Sequence, residues 1–184
     1  MDVSQNLTAS YVAELPFGPG KAFLKSGGRV LTALVGGWQI NGITTWRTGL
    51  PLTISATIPG GGNRPNSTGG RSAAIAADRS RGDALNQWFD TSQFLQPASF
   101  TLGNVGRTLP DVRGPSIFNQ DLSLIKNSKI RERILLQLRL EYFNVFNHPN
   151  FDLPNTALGS GAFGRITSTV LLPRVGQVAA KINF

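Results

Sequence analysis

The segment that decides the fold class runs Ile134-Leu-Leu-Gln-Leu-Arg-Leu-Glu-Tyr-Phe-Asn-Val-Phe146. Leu136, Leu138, Leu140 and Tyr142 alternate there with polar or charged side chains. Successive side chains of a β-strand point to opposite faces of the sheet, so this period of two predicts a strand with one apolar face and one polar face. A helix would instead repeat its apolar positions every three to four residues.

The same alternation recurs along the chain and predicts an all-β protein. We expect an antiparallel meander of about five long strands, at approximately residues 6–15, 32–48, 117–126, 133–146 and 174–184. A Gly- and Pro-rich composition, with 21 Gly and 11 Pro, agrees with strands joined by many turns.

The lengths of the predicted strands and of their connections favour a membrane barrel. Strands of roughly 9–11 residues cross a bilayer when they are tilted. The connections at 16–31 and 127–132 are short or moderate, whereas those at 49–116 and 147–173 are long and irregular. Long and short connections alternate, so both long loops should lie at one end of the sheet. Outer-membrane barrels have this asymmetry, with short periplasmic turns and long extracellular loops.

Aromatic residues near the strand ends support the same interpretation. Trp38 and Trp46 share one face and stand eight residues apart, or about 26 Å along a strand. With Tyr142 they would form the aromatic girdles that flank the apolar band of a barrel. In a soluble sandwich the same residues would belong to the core.

The last residues of the chain are also typical of a barrel strand. Phe184 follows Ile182, Ala180 and Val178 at intervals of two. We predict that these four residues act as the signal read by the machinery that assembles outer-membrane barrels. The alternative is a frayed terminus of a soluble domain.

Composition excludes several classes of protein. The 184 residues contain no cysteine and one histidine, which leaves little for a metal, haem or thiol site. The formal charge of +8 is the balance of 18 cations and 10 acidic residues. The cations are spread along the chain without a basic helix, so we expect solvated charges and no nucleic-acid partner. No apolar run approaches a transmembrane helix, and residues 1–20 do not resemble a signal peptide.

The sequence also offers no catalytic constellation. Gly60-Gly-Gly62 lacks the Gly-Lys-Ser/Thr that completes a phosphate-binding loop, and His148 has no nucleophile or acid beside it. We therefore expect no enzyme, no cofactor and no metal site.

Several segments, taken in order, resemble Oar-like TonB-dependent outer-membrane receptors. The segments in the first part of the chain are Gly36-Gly-Trp-Gln39, Trp88-Phe-Asp-Thr-Ser-Gln-Phe94, Phe100-Thr-Leu-Gly-Asn104-Val-Gly106-Arg107 and Arg113-Gly-Pro115. Those in the second part are Asn119-Gln-Asp121-Leu-Ser123-Leu, Leu136 to Pro149, Phe163 to Thr169, Pro173-Arg174 and Phe184.

The resemblance implies a fragment of an importer of bulky solutes in the bacterial outer membrane. Its parent would be a barrel of the 22-stranded type with a plugged lumen. Such a parent implies these partners: the outer-membrane bilayer, the barrel assembly machinery, the remaining strands and plug, and the TonB energy-coupling system acting through that plug. We expect the plug and the N-terminal domains to be absent from this chain.

Charged residues of the polar strand faces should then line the lumen, namely Asp121, Arg139, Glu141 and Lys181. A hairpin centred near Ile130 would place Asp121 opposite Arg139. The rival interpretation is a soluble all-β binding module, for example one that binds polysaccharide.

Overall fold

The computed structural model describes residues 2–18, 20–24, 28–70, 72–131 and 133–184, with Arg29 described by its backbone alone. In chain order its elements are β1 (Asn6–Glu14), α1 (Arg29–Val35), β2 (Trp38–Arg47), β3 (Asn66–Ser67), α2 (Arg81–Asn86), β4 (Phe94–Leu95), β5 (Ile117–Arg131), β6 (Ile134–Phe143) and β7 (Val175–Asn183). The fold class predicted from the sequence, an antiparallel all-β meander, is confirmed.

The main sheet has five strands in the order β1-β2-β5-β6-β7 and is not closed. β5 pairs with β6, and β6 with β7, in antiparallel fashion. At one end of β2, Asn127 donates its backbone N–H to the Gly37 carbonyl at 2.8 Å. Nearer the other end, Thr44 Oγ1 donates to Gln120 Oε1 at 3.0 Å. The chain therefore leaves the sheet after β2 and β6, and returns at β5 and β7, at the same end.

The chain divides into two compact units. The sheet unit comprises Leu7–Trp46, Phe118–Pro149 and Leu172–Phe184, and the loop unit comprises Met1–Asn6, Arg47–Ile117 and Asn150–Leu171. The two long segments that the sequence predicted as loops thus fold together, with little regular structure, as one unit.

The loop unit has a hydrophobic core of its own. Phe89, Phe94 and Phe163 meet edge to face, with ring centroids 5.3–6.1 Å apart. Around them pack buried aliphatic side chains, among them Leu52, Ile54, Ala73, Val105, Leu109 and Val112. Backbone hydrogen bonds tie the two segments together, for example from Ile166 N to Leu85 O at 2.9 Å and from Trp88 N to Gly164 O at 2.7 Å.

The strand predicted at 32–48 is wrong in its first part, because residues Arg29–Val35 form α1. Side-chain donors bind carbonyl oxygens of its last turn, with Trp38 Nε1 2.8 Å from Leu34 O and Lys126 Nζ 2.6 Å from Ala33 O. Gly37 then reverses the chain at φ +72°, where a Cβ would lie 2.2 Å from the Asn127 carbonyl oxygen. Only glycine fits this approach of the two backbones, which starts β2 at Trp38.

Two other strand boundaries differ from the prediction. β5 continues beyond residue 126 to Arg131, and β6 ends at Phe143 instead of 146. Asn144 adopts a left-handed conformation with φ +49°, which Asn tolerates and which ends the strand. The Asn144 Oδ1 atom then accepts the backbone N–H of His148 at 3.0 Å.

Candidate functional site

One face of the sheet unit is apolar across all five strands. The pairings place Leu124 opposite Leu140, and Leu138 opposite Ala180, on this face. By alternation within each strand its members are Leu7, Ala9, Tyr11, Ala13, Trp38, Ile40, Gly42, Thr44, Trp46, Phe118, Gln120, Leu122, Leu124, Lys126, Ser128, Ile134, Leu136, Leu138, Leu140, Tyr142, Gly176, Val178, Ala180 and Ile182. Many of them are exposed, including Leu138 at 43% and Val178 at 79%.

Two tyrosines on this apolar face lie over glycines of neighbouring strands. A Cβ on Gly42 would lie 2.2 Å from Tyr11 Cζ, and a Cβ on Gly176 would lie 2.8 Å from Tyr142 Cε1. Each ring therefore occupies the space that a side chain would take on the adjacent strand. The Tyr11 hydroxyl also accepts a hydrogen bond from Gln120 Nε2 at 2.5 Å. These pairs connect β1 to β2 and β6 to β7 through side chains as well as backbone.

The structure brings the three predicted girdle residues onto the apolar face. Trp38 begins β2 and Trp46 lies one residue before its end, so the two indoles lie near opposite ends of the strand. Tyr142 stands opposite Leu122. Their role at the two membrane interfaces stays a prediction.

The four predicted lumen-facing residues share the opposite, polar face. Glu141 pairs with Ser123 and Gln177, Arg139 with Ile125 and Ala179, and Lys181 with Gln137. Asp121 lies on the same face by alternation from Ser123. Whether this face lines a lumen stays a prediction.

The predicted pairing of Asp121 with Arg139 is wrong. β5 continues to Arg131 and the hairpin closes at Arg131 and Ile134, with an irregularity between Lys129 and Arg131. Arg139 is therefore opposite Ile125. Asp121 Oδ1 instead accepts the backbone N–H of Asn144 at 2.9 Å and the Asn119 amide at 3.0 Å.

Glu141 organises the polar face in place of Asp121. Its Oε1 atom lies 3.7 Å from Arg139 Nη1 and accepts a hydrogen bond from the Ser123 hydroxyl at 3.5 Å. Its Oε2 atom accepts a hydrogen bond from the Gln177 amide. Arg139 Nε is buried without a hydrogen-bond partner.

The four residues of the predicted assembly signal lie at the edge of the sheet. Val178, Ala180 and Ile182 face the apolar side, opposite Leu140, Leu138 and Leu136. Phe184 follows the end of β7 and is 93% exposed. Nothing in the described part of the chain covers this ring.

Lys126 is a residue that the sequence interpretation missed. It lies on the apolar face, where it is 8% exposed, and its ammonium binds the carbonyls of Ala33 and Gly36. The ammonium also lies 5.4 Å from the centre of the Trp38 ring. A cation at the C-terminal end of a helix is electrostatically favourable. The available signal was the cation itself, which interrupts the apolar alternation after Leu122 and Leu124.

The loop unit contains a cavity of about 280 Å³. Its floor is formed largely by alanines from 74–77 and 84, and its polar lining comes from Arg79, Asp111 and Arg113, next to Trp88. Arg79 is held by the carbonyls of Ala76 and Gln87, at 3.1 and 2.7 Å. Trp88 Nε1 donates to the Arg113 carbonyl at 2.7 Å. The Arg113 guanidinium is itself bound to the Asp2 carboxylate at 2.7 Å and to the Gly49 carbonyl at 3.2 Å. The cavity thus combines one aromatic ring with the Arg79 guanidinium and the Asp111 carboxylate, which accepts the Ala73 N–H at 3.0 Å.

Two carboxylates of the loop unit have lowered pKa values. The Ser92 hydroxyl and then the Gln93 amide donate to Asp90 and hold its pKa below the ordinary value. The Ser72 hydroxyl, and more weakly the backbone N–H groups near Ala73, do the same to the pKa of Asp111. Both groups are thus ionised at neutral pH.

In the part of the chain that the structure describes, no group of three or more His, Asp or Glu side chains is placed to hold a metal ion. None of the helices among the described residues has the length and apolar character of a membrane-spanning helix.

Comparison with known families identifies the class of protein. Residues 1–177 match the family model of the outer membrane beta barrel domain, and the chain belongs to this family. No curated protein and no solved structure matches the chain. The protein is therefore an outer-membrane β-barrel protein. This membership contradicts the soluble binding module and explains an exposed apolar sheet face, since lipid covers such a face.

Proposed function

We propose that this chain is part of a TonB-dependent, Oar-like receptor that imports a bulky solute across the outer membrane. The observation that carries the proposal is the loop unit, which has a core of its own and is not a set of loose loops. A folded surface loses less conformational entropy on binding a solute than a mobile loop does. In this proposal the chain has no catalytic role.

The cavity of the loop unit is the best candidate for contact with the solute. Trp88 offers an aromatic surface, and Arg79 offers a guanidinium group for carboxylate, phosphate or hydroxyl groups. At about 280 Å³ it would hold one ring or side chain of a larger solute. The plug and the rest of the barrel would complete the binding surface.

The open edges of the sheet support the proposed partners within a parent barrel. β1 and β7 are the end strands, and all nine residues of β1 are exposed. Unpaired backbone groups are costly in lipid, so both edges require further strands. In the proposal these strands and the plug come from the parent receptor, and the plug contacts the TonB system.

Channel recordings with the full-length gene product, together with a TonB-binding assay, test the receptor function. A plugged receptor should give no steady conductance in a planar bilayer and should bind the periplasmic domain of TonB. Cells lacking TonB should lose the solute uptake that depends on this gene. A steadily open channel that does not bind TonB would identify a passive pore instead.

The assembly role of the C-terminal residues needs a separate experiment. Strand addition by an assembly factor would recognise an exposed apolar edge strand that ends in an aromatic ring. Replacement of Phe184 by Asp in the full-length protein should lower the amount of folded barrel in the outer membrane several-fold. Val170→Asp, at an exposed apolar residue of the loop unit, is the control. Equal amounts of folded protein in the two variants would contradict the signal.

A further inference from the structure

The sheet unit contains a second cavity, at the end of the sheet where β1 ends and β2 begins. It has a volume of about 370 Å³ and an almost purely apolar lining of Leu15, Phe17, Leu24, Leu34, Val35, Trp38 and Leu124. Trp38 and Leu124 belong to the apolar face of the sheet. The cavity is therefore continuous with the surface that membership of the barrel family places against lipid.

The lining is held by contacts that make the cavity a fixed feature of the fold. Trp38 is anchored through Nε1 to the Leu34 carbonyl at 2.8 Å. Lys126 binds the carbonyls of Ala33 and Gly36, so α1 is attached to β5 beside the cavity. Phe17 packs on Phe23 with ring centroids 5.9 Å apart, which positions the connection between β1 and α1.

The same end of the sheet also carries exposed positive charge. Among the residues described there, Lys21 pairs with Glu14 and the Lys126 ammonium binds carbonyl oxygens. Arg131 and Arg133, at the turn between β5 and β6, are exposed. The Asn127 N–H to Gly37 O hydrogen bond places this turn at the end of the sheet where β2 begins and the cavity lies.

We propose that this cavity binds one acyl chain of an anionic phospholipid whose headgroup is attracted by the surrounding cations. An apolar cavity that continues a lipid-covered face suits an acyl chain, and clustered Lys and Arg beside a membrane attract anionic lipids. The proposal depends on membrane placement and not on solute import. Its failure would therefore leave the receptor function untouched.

The test is lipid titration of the full-length gene product in detergent, followed by native mass spectrometry. Phosphatidylglycerol is the anionic probe and phosphatidylcholine is the zwitterionic control. Phosphatidylglycerol should bind at least about fivefold more tightly, because each nearby cation favours an anionic headgroup. Equal affinity for the two lipids would overturn the proposal, and so would displacement of phosphatidylglycerol by lipopolysaccharide.

Variants at two positions of α1 distinguish lipid binding in the cavity from lipid binding to the rest of the apolar surface. Leu34 lines the cavity and is 65% exposed, whereas Val30 is 74% exposed and lies outside it. Leu34→Ser should weaken binding of both lipids, and Val30→Ser should not. Leu34→Trp fills the cavity without removing apolar surface and should exclude the acyl chain as well. Equal lipid binding by all three variants would reject the cavity as the site.

Matched charge variants examine the headgroup contact. Arg131→Gln with Arg133→Gln removes two exposed cations from the turn at the cavity end of the sheet, and Arg107→Gln with Arg165→Gln removes two exposed cations from the loop unit. Only the first pair should reduce the preference for phosphatidylglycerol over phosphatidylcholine. A similar reduction by both pairs would show attraction by net charge alone and contradict a defined site.

Discussion

The loop unit holds eleven of the twelve buried apolar residues among the described part of the chain, and the sheet unit holds one, Ile125. In the sheet unit, by contrast, Val178 is 79% exposed and Ile182 52%. The loop unit therefore obtains its hydrophobic stabilisation from its own interior, as a soluble domain does. The sheet unit leaves its apolar face for lipid. One unit thus buries its apolar side chains in its own interior and the other exposes them to lipid. Substitutions should therefore act differently in the two units.

The largest expected effect comes from the core of the loop unit. Phe89 is fully buried between Phe94 and Phe163, so Phe89→Ala should lower the stability of this unit by about 3–5 kcal/mol. Hydrogen exchange and limited proteolysis should increase within 47–117. The heat-dependent gel mobility of the barrel should stay unchanged. Phe100→Ala, at a ring that is 82% exposed, is the control and should change little. Equal protection in both variants would show that the loop unit has no cooperative core.

The next effect concerns the attachment of α1 in the sheet unit. Lys126→Met keeps the apolar stem but removes the ammonium that binds the Ala33 and Gly36 carbonyls. Hydrogen bonds to charged groups contribute about 1.5–3 kcal/mol, and local opening of α1 should become easier by this amount. Hydrogen exchange of residues 29–36 measures the change. Lys129→Met, at an exposed cation of the same strand, should leave that exchange as it was.

A smaller effect should follow from filling the space under Tyr11. The new methyl group in Gly42→Ala would meet the ring at 2.2 Å and force it to move, at a cost of about 1–3 kcal/mol. The midpoint of heat-induced unfolding on a semi-native gel should fall. Gly161→Ala places its methyl group in open space and is the control. The double variant Gly42→Ala/Tyr11→Ala tests the coupling. If it lowers the unfolding midpoint by the sum of the two single effects, the ring and the glycine are not coupled.

The smallest effect is the pH dependence of the loop unit. The folded-state pKa of Asp90 is lowered, so its contribution is present above the ordinary carboxyl pKa of about 3.9 and is lost as the pH falls through the folded value. Because the carboxylate is largely solvated, the contribution should stay below about 1 kcal/mol. Asp90→Asn should therefore narrow the difference in protease resistance between pH 6 and pH 3. An unchanged difference would assign the acid sensitivity to other groups.

The faces of the sheet could be predicted from the sequence, because alternation is a local property. Trp38, Trp46 and Tyr142 share one face, and Arg139, Glu141 and Lys181 share the other, as the period of two required. The pairing of Asp121 with Arg139 failed for a different reason. Alternation fixes a register only in steps of two, and the position of the turn chooses among the steps. The hairpin closes at Arg131 and Ile134, further along the chain than the turn near Ile130 that the prediction assumed.

Helix α1 and the loop unit could not be predicted from periodicity. α1 is only seven residues long, and the i, i+3, i+4 spacing of its Leu31, Leu34 and Val35 is too short a pattern to separate a helix from a strand. In the loop unit, Leu52, Phe89 and Val105 reach one core from positions far apart in the sequence. Such a core depends on tertiary packing and leaves no local repeat. The charged cavity lining around Arg79 and Arg113 was missed for the same reason.

Asn144 and Asn147 have a consequence for how such a wall can be re-engineered. The Asn144 amide donates to the carbonyls of His148 and Leu172, at 3.0 and 3.1 Å, and Asn147 Oδ1 accepts the Arg174 N–H at 3.0 Å. Together they fasten the departing chain to the returning chain just outside β6 and β7. Changes in the segment between these fastened points that keep the core residues Phe163 and Ile166 should leave the strand register in place. The two asparagines therefore mark the junctions for grafting new surface elements onto this wall.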